Sequence, residues 1–93
     1  MIRQMFVLQD VKGGTFGNPV FVPSLGTLVR DITDVVNDRK ADQLLSKHPA
    51  DFRLFRLGEF DDTSGRFVLS EHPEFILDCS SLILVGSEAT AAS

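Results

Sequence analysis

Apolar and polar positions alternate, recur or mix along this chain in ways that assign most of it to strands and one helix. Between Phe52 and Ser70 two alternating runs flank Asp61, Asp62, Thr63, Ser64 and Gly65. That is the pattern of a hairpin closed by an acidic turn with glycine. Ile2 to Gln9 is apolar on both alternating faces, which predicts an inner strand. Val20-Phe21-Val22, bounded by Pro19 and Pro23, predicts a short edge strand. From Ser24 to Asp38, Leu25, Leu28, Val29, Ile32, Val35 and Val36 recur at helical spacing and form one stripe. Ser24 is the expected N-cap, a contact typically worth about 1 kcal/mol. Lys12 to Pro19 reads as a flexible connection and Asn37 to Asp51 as a polar one pinned by Leu44 and Leu45. Glu71-His72-Pro73 breaks the second hairpin strand, and Phe75 to Leu77 forms a further extended run. Asp78 to Val85 fits either a strand or a brief helix started at Ser80 or Ser81.

The order β-β-α-β-β predicts an α+β fold, a mainly antiparallel sheet of about four strands packed on one amphipathic helix. Residues 1–85 are expected to form a single domain and 86–93 a mobile C-terminal tail.

Pairing Glu59 with Arg66 gives the hairpin opposite charges across its strands and leaves Gly65 in a left-handed position. In that register Phe52, Leu54, Phe60, Phe67 and Leu69 face the helix stripe. The other side carries Arg53, Phe55, Leu57, Glu59, Arg66 and Val68, an apolar centre between arginines. One helix cannot cover both sides. Either the C-terminal segment or a second subunit buries Phe55, Leu57 and Val68, or the face is a platform on which a base stacks while arginines hold phosphates.

Composition narrows the chemistry. A net charge of -4 and a pI near 4.9 give no global attraction for nucleic acid, so any such contact is local. The single Cys79 forms no internal disulfide and reads as a small buried side chain. No run approaches the roughly 20 apolar residues of a membrane helix, so no membrane association is expected. Asp61 and Asp62 are turn formers before they are an acid pair, His48 and His72 are loop histidines, and Gly13-Gly14 lacks the lysine and helix start of a phosphate loop. No catalytic constellation, metal set or cofactor motif is expected.

The helix ending DVVND (34–38), the entry SKHPADFRLFRLGEFDD (46–62) and the glycine-closed turn together resemble the small nonstructural protein of gokushovirus-type microviruses. These are tailless phages with single-stranded DNA genomes. The resemblance spans roughly residues 5–85 and is most specific at VND, HPxDF and LGEFDD. It implies a non-enzymatic protein in the cytoplasm of an infected bacterial host, acting in viral single-stranded DNA synthesis or packaging. It carries over no catalytic residues. A homo-oligomer could align Arg53, Arg66, Lys47 and Arg39 into a local positive groove and so reconcile DNA contact with the acidic composition. Phage replication or capsid proteins are further implied partners. The alternative is a protein-protein module, a homo-oligomeric regulator of replication or assembly without nucleic-acid binding.

Overall fold

The computed structural model describes residues 1–84, so the expected C-terminal tail lies outside the described residues. Strand β1 (Ile2–Asp10) is followed by β2 (Thr15–Phe16), β3 (Val20–Val22), helix α1 (Leu25–Val36), a four-residue helix α2 (Leu44–Lys47), β4 (Phe52–Asp61) and β5 (Arg66–Asp78). Short 3-10 turns at Pro49–Asp51 and Cys79–Leu82 precede β4 and follow β5. The fold is α+β, with an antiparallel sheet in the order β2-β1-β4-β5 and β3 also paired to β1. Element order differs from the expectation by the extra strand β2 and the second short helix α2.

β1 is an inner strand and β3 an edge strand, as their sequences imply. β2 and β3 run along one side of β1 as a single interrupted strand. Gln9 pairs with Phe16 and Phe6 with Val20, and the Gly17 N–H between them donates to Leu8 O at 2.8 Å.

α1 starts where Ser24 Oγ accepts from the Thr27 N–H at 3.3 Å. Its stripe closes the core: Ile32 and Val36 are buried with Phe6, Leu54 and Cys79, and Leu25 and Leu28 pack around them. Asn37 caps the other end. Its Nδ2 donates to Thr33 O at 2.7 Å and Leu82 O at 2.9 Å, and its Oδ1 accepts from the Leu84 N–H at 2.9 Å. This clasp ties the helix to the segment after β5 and gives Thr33 O a second donor beside the Asn37 N–H. After Phe75–Leu77, which belongs to β5, the Asp78 carboxylate caps the 3-10 turn through the Ser80 N–H.

The hairpin differs from its predicted register in two ways. Asp61 pairs with Arg66 and Glu59 with Val68, a shift of two residues that keeps Gly65 left-handed, at φ 74°. The Asx contact from the Thr63 N–H to Asp61 Oδ1 and the bond from Gly65 N to Asp61 O place the turn at residues 62–65, one residue later than an Asp61–Ser64 loop. A two-residue shift alone would preserve the faces, because side chains alternate with period two.

The second difference does not preserve them. Met5 pairs with Gly58 but Phe6 pairs with Arg56, so Leu57 is an extra residue in β4. Across that bulge the alternation of β4 inverts. Leu54 and Arg56 face the same side as Phe6, whereas Phe60 is turned to the side of Met5 and Arg3. Through Phe60 and Gly58, Phe67 and Leu69 turn with them. The expectation that Phe60, Phe67 and Leu69 pack on the helix is therefore corrected. So is the expectation that Arg66 and Val68 share a side with Phe55, since they pair with Asp61 and Glu59 on the other one.

Gly58 makes the bulge possible. Its φ is +150°, and a Cβ there would lie 2.2 Å from Val68 O and 2.8 Å from Leu69 Cα, both backbone atoms of β5. β5 accommodates the same region by looping out: its pairing passes from Leu69 opposite Gly58 to Glu74 opposite Arg56. Arg56 spans the irregularity on the helix side, donating to Gln4 Oε1 at 3.0 Å and Glu59 Oε1 at 3.1 Å and lying 3.6 Å from Glu74 Oε2.

At the hairpin tip, Asp62 accepts from the Met1 amine at 2.8 Å and from Arg3 Nε at 3.2 Å. These two contacts, the amine first, hold its carboxyl below the ordinary value of 3.8. The acidic turn is thus an anchor for the start of β1.

Two outcomes are expected. Gly58→Ala should lose at least about 2 kcal/mol, read as a melting temperature lower by roughly 10 °C, because backbone of β5 must move; a wild-type melting curve would show the contact to be soft. The lowered Asp62 titration means its contacts stabilise the fold above the unfolded-state value of 3.8 and are lost as pH falls through the lower folded-state value. An NMR titration should give Asp62 a midpoint below 3.8, and Arg3→Gln should raise it.

Candidate functional site: a phenylalanine face opposite the helix

Inversion of β4 at Leu57 gathers aromatic rings on the face that α1 does not cover. Pairing puts Phe16 beside Gln9, Phe55 beside Val7 and Phe75 beside Phe55, all on the odd-numbered side of β1. Their rings form a row across the sheet: Phe16 meets Phe55 at 5.5 Å and 73°, and Phe55 meets Phe75 at 5.8 Å and 70°. Further along the same face, Phe21 beside Met5, Phe60 beside Arg3 and Phe67 beside Phe60 make a second group. Its centroids lie 5.7 Å (Phe21–Phe60), 6.3 Å (Phe21–Phe67) and 4.9 Å (Phe60–Phe67) apart. Edge-to-face and tilted contacts of this kind hold rings in place while leaving part of their π-surface open.

Six of the chain's eight phenylalanines therefore lie on one face. Phe6 and Phe52 belong to the helix side. Met5 and Val7 are buried beneath the two groups, outside the helix-side core, whereas Phe16, Phe21, Phe67 and Phe75 are 43% to 57% exposed. Leu69 extends the apolar surface at 66% exposure. A contiguous patch of this composition is larger than scattered surface hydrophobes require.

Charge sits at the ends of the face. Arg53 pairs with Gln9 in the sheet and its Nε lies 3.9 Å from Asp78 Oδ2. Arg3 is level with Phe60 at the opposite end and is held by Asp62. Both ion pairs are partly exposed, the regime in which such pairs contribute about 0–1 kcal/mol and exchange partners easily.

Of the residues singled out by the sequence, Arg53 and Phe55 lie on this face. Leu57 is the bulged residue and pairs with neither neighbouring strand. Arg66 and Val68 are exposed at the hairpin tip on the opposite side. Lys47 lies on α2, which packs against α1, and is ion-paired to Asp42. Arg39 follows α1 beside Ile83 and Pro49. Sequence reasoning missed Phe16, Phe21, Phe60, Phe67 and Phe75. The signal that could have found Phe60 and Phe67 is Gly58, since a glycine inside an alternating run marks a bulge.

Other chemistry is sparse. Burial and the neighbouring Asp78 charge push the Cys79 thiol up to about 11, which leaves it protonated and unreactive at neutral pH. Among the described residues no group of three His, Cys, Asp or Glu side chains could hold a metal ion, and no helix is long and apolar enough to cross a membrane. On the helix side an open apolar groove of ≈ 430 Å³ runs between α1 and the break separating β2 from β3, lined by Leu8, Val20, Leu28, Ile32 and Phe52.

No curated protein and no solved structure matches this chain. The family model described as Phage ORF5 protein matches residues 3–82. That span takes in every strand, the helix and both ring groups, and the chain belongs to the Phage ORF5 protein family, which makes it a phage protein.

Proposed function

We propose that this phage protein is non-enzymatic and acts in viral single-stranded DNA synthesis or packaging, in the cytoplasm of the infected bacterial host, by holding unpaired bases on its phenylalanine face. The observation that carries this reading is the set of six rings on one sheet face, anchored over buried Met5 and Val7 and left open by the helix. Every base has a π-face, so stacking on such rings tolerates any sequence and contributes about 1–3 kcal/mol per base. Phosphates then exchange with Asp62 and Asp78 for Arg3 and Arg53 at the two ends of the face. A net charge of -4 makes this contact local and confines binding to the face. Lys47 and Arg39, on the helix side, join a positive groove only when copies of the chain assemble, which is why the working form is proposed to be a homo-oligomer.

A second reading is supported by the same ion pairs. With both arginines already matched by carboxylates, the face is nearly neutral and suits a protein surface, either a second copy or a phage replication or capsid protein. The chain is then an interaction module that regulates replication or assembly without touching DNA.

Titration of fluorescent oligothymidine separates the two. The first reading expects binding at low salt that weakens at moderate salt, and loss of about 1–3 kcal/mol in Phe55→Ala with the far-UV circular dichroism unchanged. Absence of binding at low salt removes the DNA reading; a Phe55→Ala protein that changes oligomeric state by light scattering favours the interface.

The charge exchange has its own signature. Asp78→Asn keeps an oxygen to cap the 3-10 turn but releases Arg53. It should tighten oligothymidine binding and steepen the plot of log affinity against log salt by about 0.7, the contribution of one further phosphate contact to a single strand. An unchanged slope would show that Arg53 meets no phosphate.

A further inference from the structure

We propose that the phenylalanine face seats single-stranded DNA at two separate positions, the Phe16–Phe55–Phe75 row and the Phe21–Phe60–Phe67 group, which take bases two nucleotides apart and leave the nucleotide between them unstacked. The inference rests on the DNA-binding reading above and adds the site's size and its internal register.

The spacing comes from the sheet. The row is centred on Val7 to Gln9 of β1 and the second group on Arg3 to Met5, four residues away. At about 3.3 Å of rise per residue the two seats are ~13 Å apart. A stacked strand rises about 3.4 Å per nucleotide and would need roughly four steps to cover that distance, while an unstacked strand drawn out to about twice that rise covers it in two. The floor between the seats favours the drawn-out form. On β4 and β5 it consists of Gly58, which has no side chain, and of Leu69, which pairs with Gly58 and is 66% exposed. No ring stands there for a base to stack on, and the one side chain that projects, Leu69, offers apolar contact to a sugar and no π-face.

The ends of the face agree with a strand lying along β1 and β4. Arg53 is two residues beyond Phe55 at one end and Arg3 is level with Phe60 at the other, so each seat has a guanidinium on its outer side. Within each seat the rings touch by edges or at a tilt, between 39° and 73°, rather than stacking fully on one another. Rings in that arrangement keep π-surface for a base. The occupant that matches two aromatic seats, a ringless aliphatic middle and a cation at each end is an unpaired, extended polyanion with planar side groups.

The test uses the full chain and oligothymidines of increasing length. Affinity should rise at least tenfold between a dinucleotide and a strand of about four nucleotides, then grow slowly. In the shortest strand that binds at full strength, single abasic replacements should reveal two sensitive positions separated by one tolerant position. Phe75→Leu and Phe67→Leu keep apolar volume but remove one exposed ring from each seat. Each should weaken binding about tenfold, and each should abolish sensitivity at a different one of the two positions. Uniform sensitivity along the strand, or both variants acting on the same position, would overturn the two-seat arrangement while leaving DNA binding intact. Failure of every length to bind at low salt would overturn the DNA reading itself. Abasic scanning uses the wild-type protein and does not depend on how the variants fold.

Discussion

The absence of a side chain at Gly58 is the constraint on which the two faces of this protein depend. With Val68 O 2.2 Å from where a Cβ would sit, β4 and β5 approach there more closely than any other residue permits. That approach lets Leu57 stand as an extra residue and turns the far half of the hairpin over. Without the inversion Phe60 and Phe67 would project toward the helix side, beyond the reach of a 12-residue helix. With it they join Phe21 on the open face.

The same inversion separates two kinds of surface. On the helix side the irregularity is bridged by polar groups, with Arg56 reaching Gln4, Glu59 and Glu74. On the other side Gly58 and Leu69 part the two ring groups without a ring of their own. α1 and the Asn37 clasp stabilise the first side through Phe6, Leu54 and Cys79. The second side owes its order to ring contacts and to buried Met5 and Val7, and α1 does not cover it.

Much of the scaffold was legible in the residues. The apolar stripe and Ser24 specify α1, prolines at both ends specify the edge strand Val20–Val22, and two-sided apolarity places β1 inside the sheet. Gly65 takes the left-handed position its turn requires. The hairpin register was missed by two residues because Asp61, whose side chain accepts from the Thr63 N–H, ends the strand and starts the turn one residue later than alternation suggests. The faces were missed for a different reason. Alternation counts residues in twos, and a single bulged residue changes every later parity without altering composition. Hence Phe55 was placed correctly while Phe60 and Phe67 were not. Phe16 sat in a glycine-rich connection where a two-residue strand has no periodic signal, and Asn37 gave no hint of its partners at Leu82 and Leu84 because they are far along the chain.

β5 forms one margin of the sheet, and a margin of 13 residues with free backbone groups invites pairing with another chain and growth into aggregates. The excursion between Leu69 and Glu74 divides it. Ser70 to Pro73 leave the ladder, with Glu71 and Pro73 inside the gap and Glu74 at its far side. What remains are two short runs, neither long enough to template a cross-β stack. The exposed phenylalanine face thus borders an edge whose regular pairing is interrupted, which makes that edge a poorer template for a further strand.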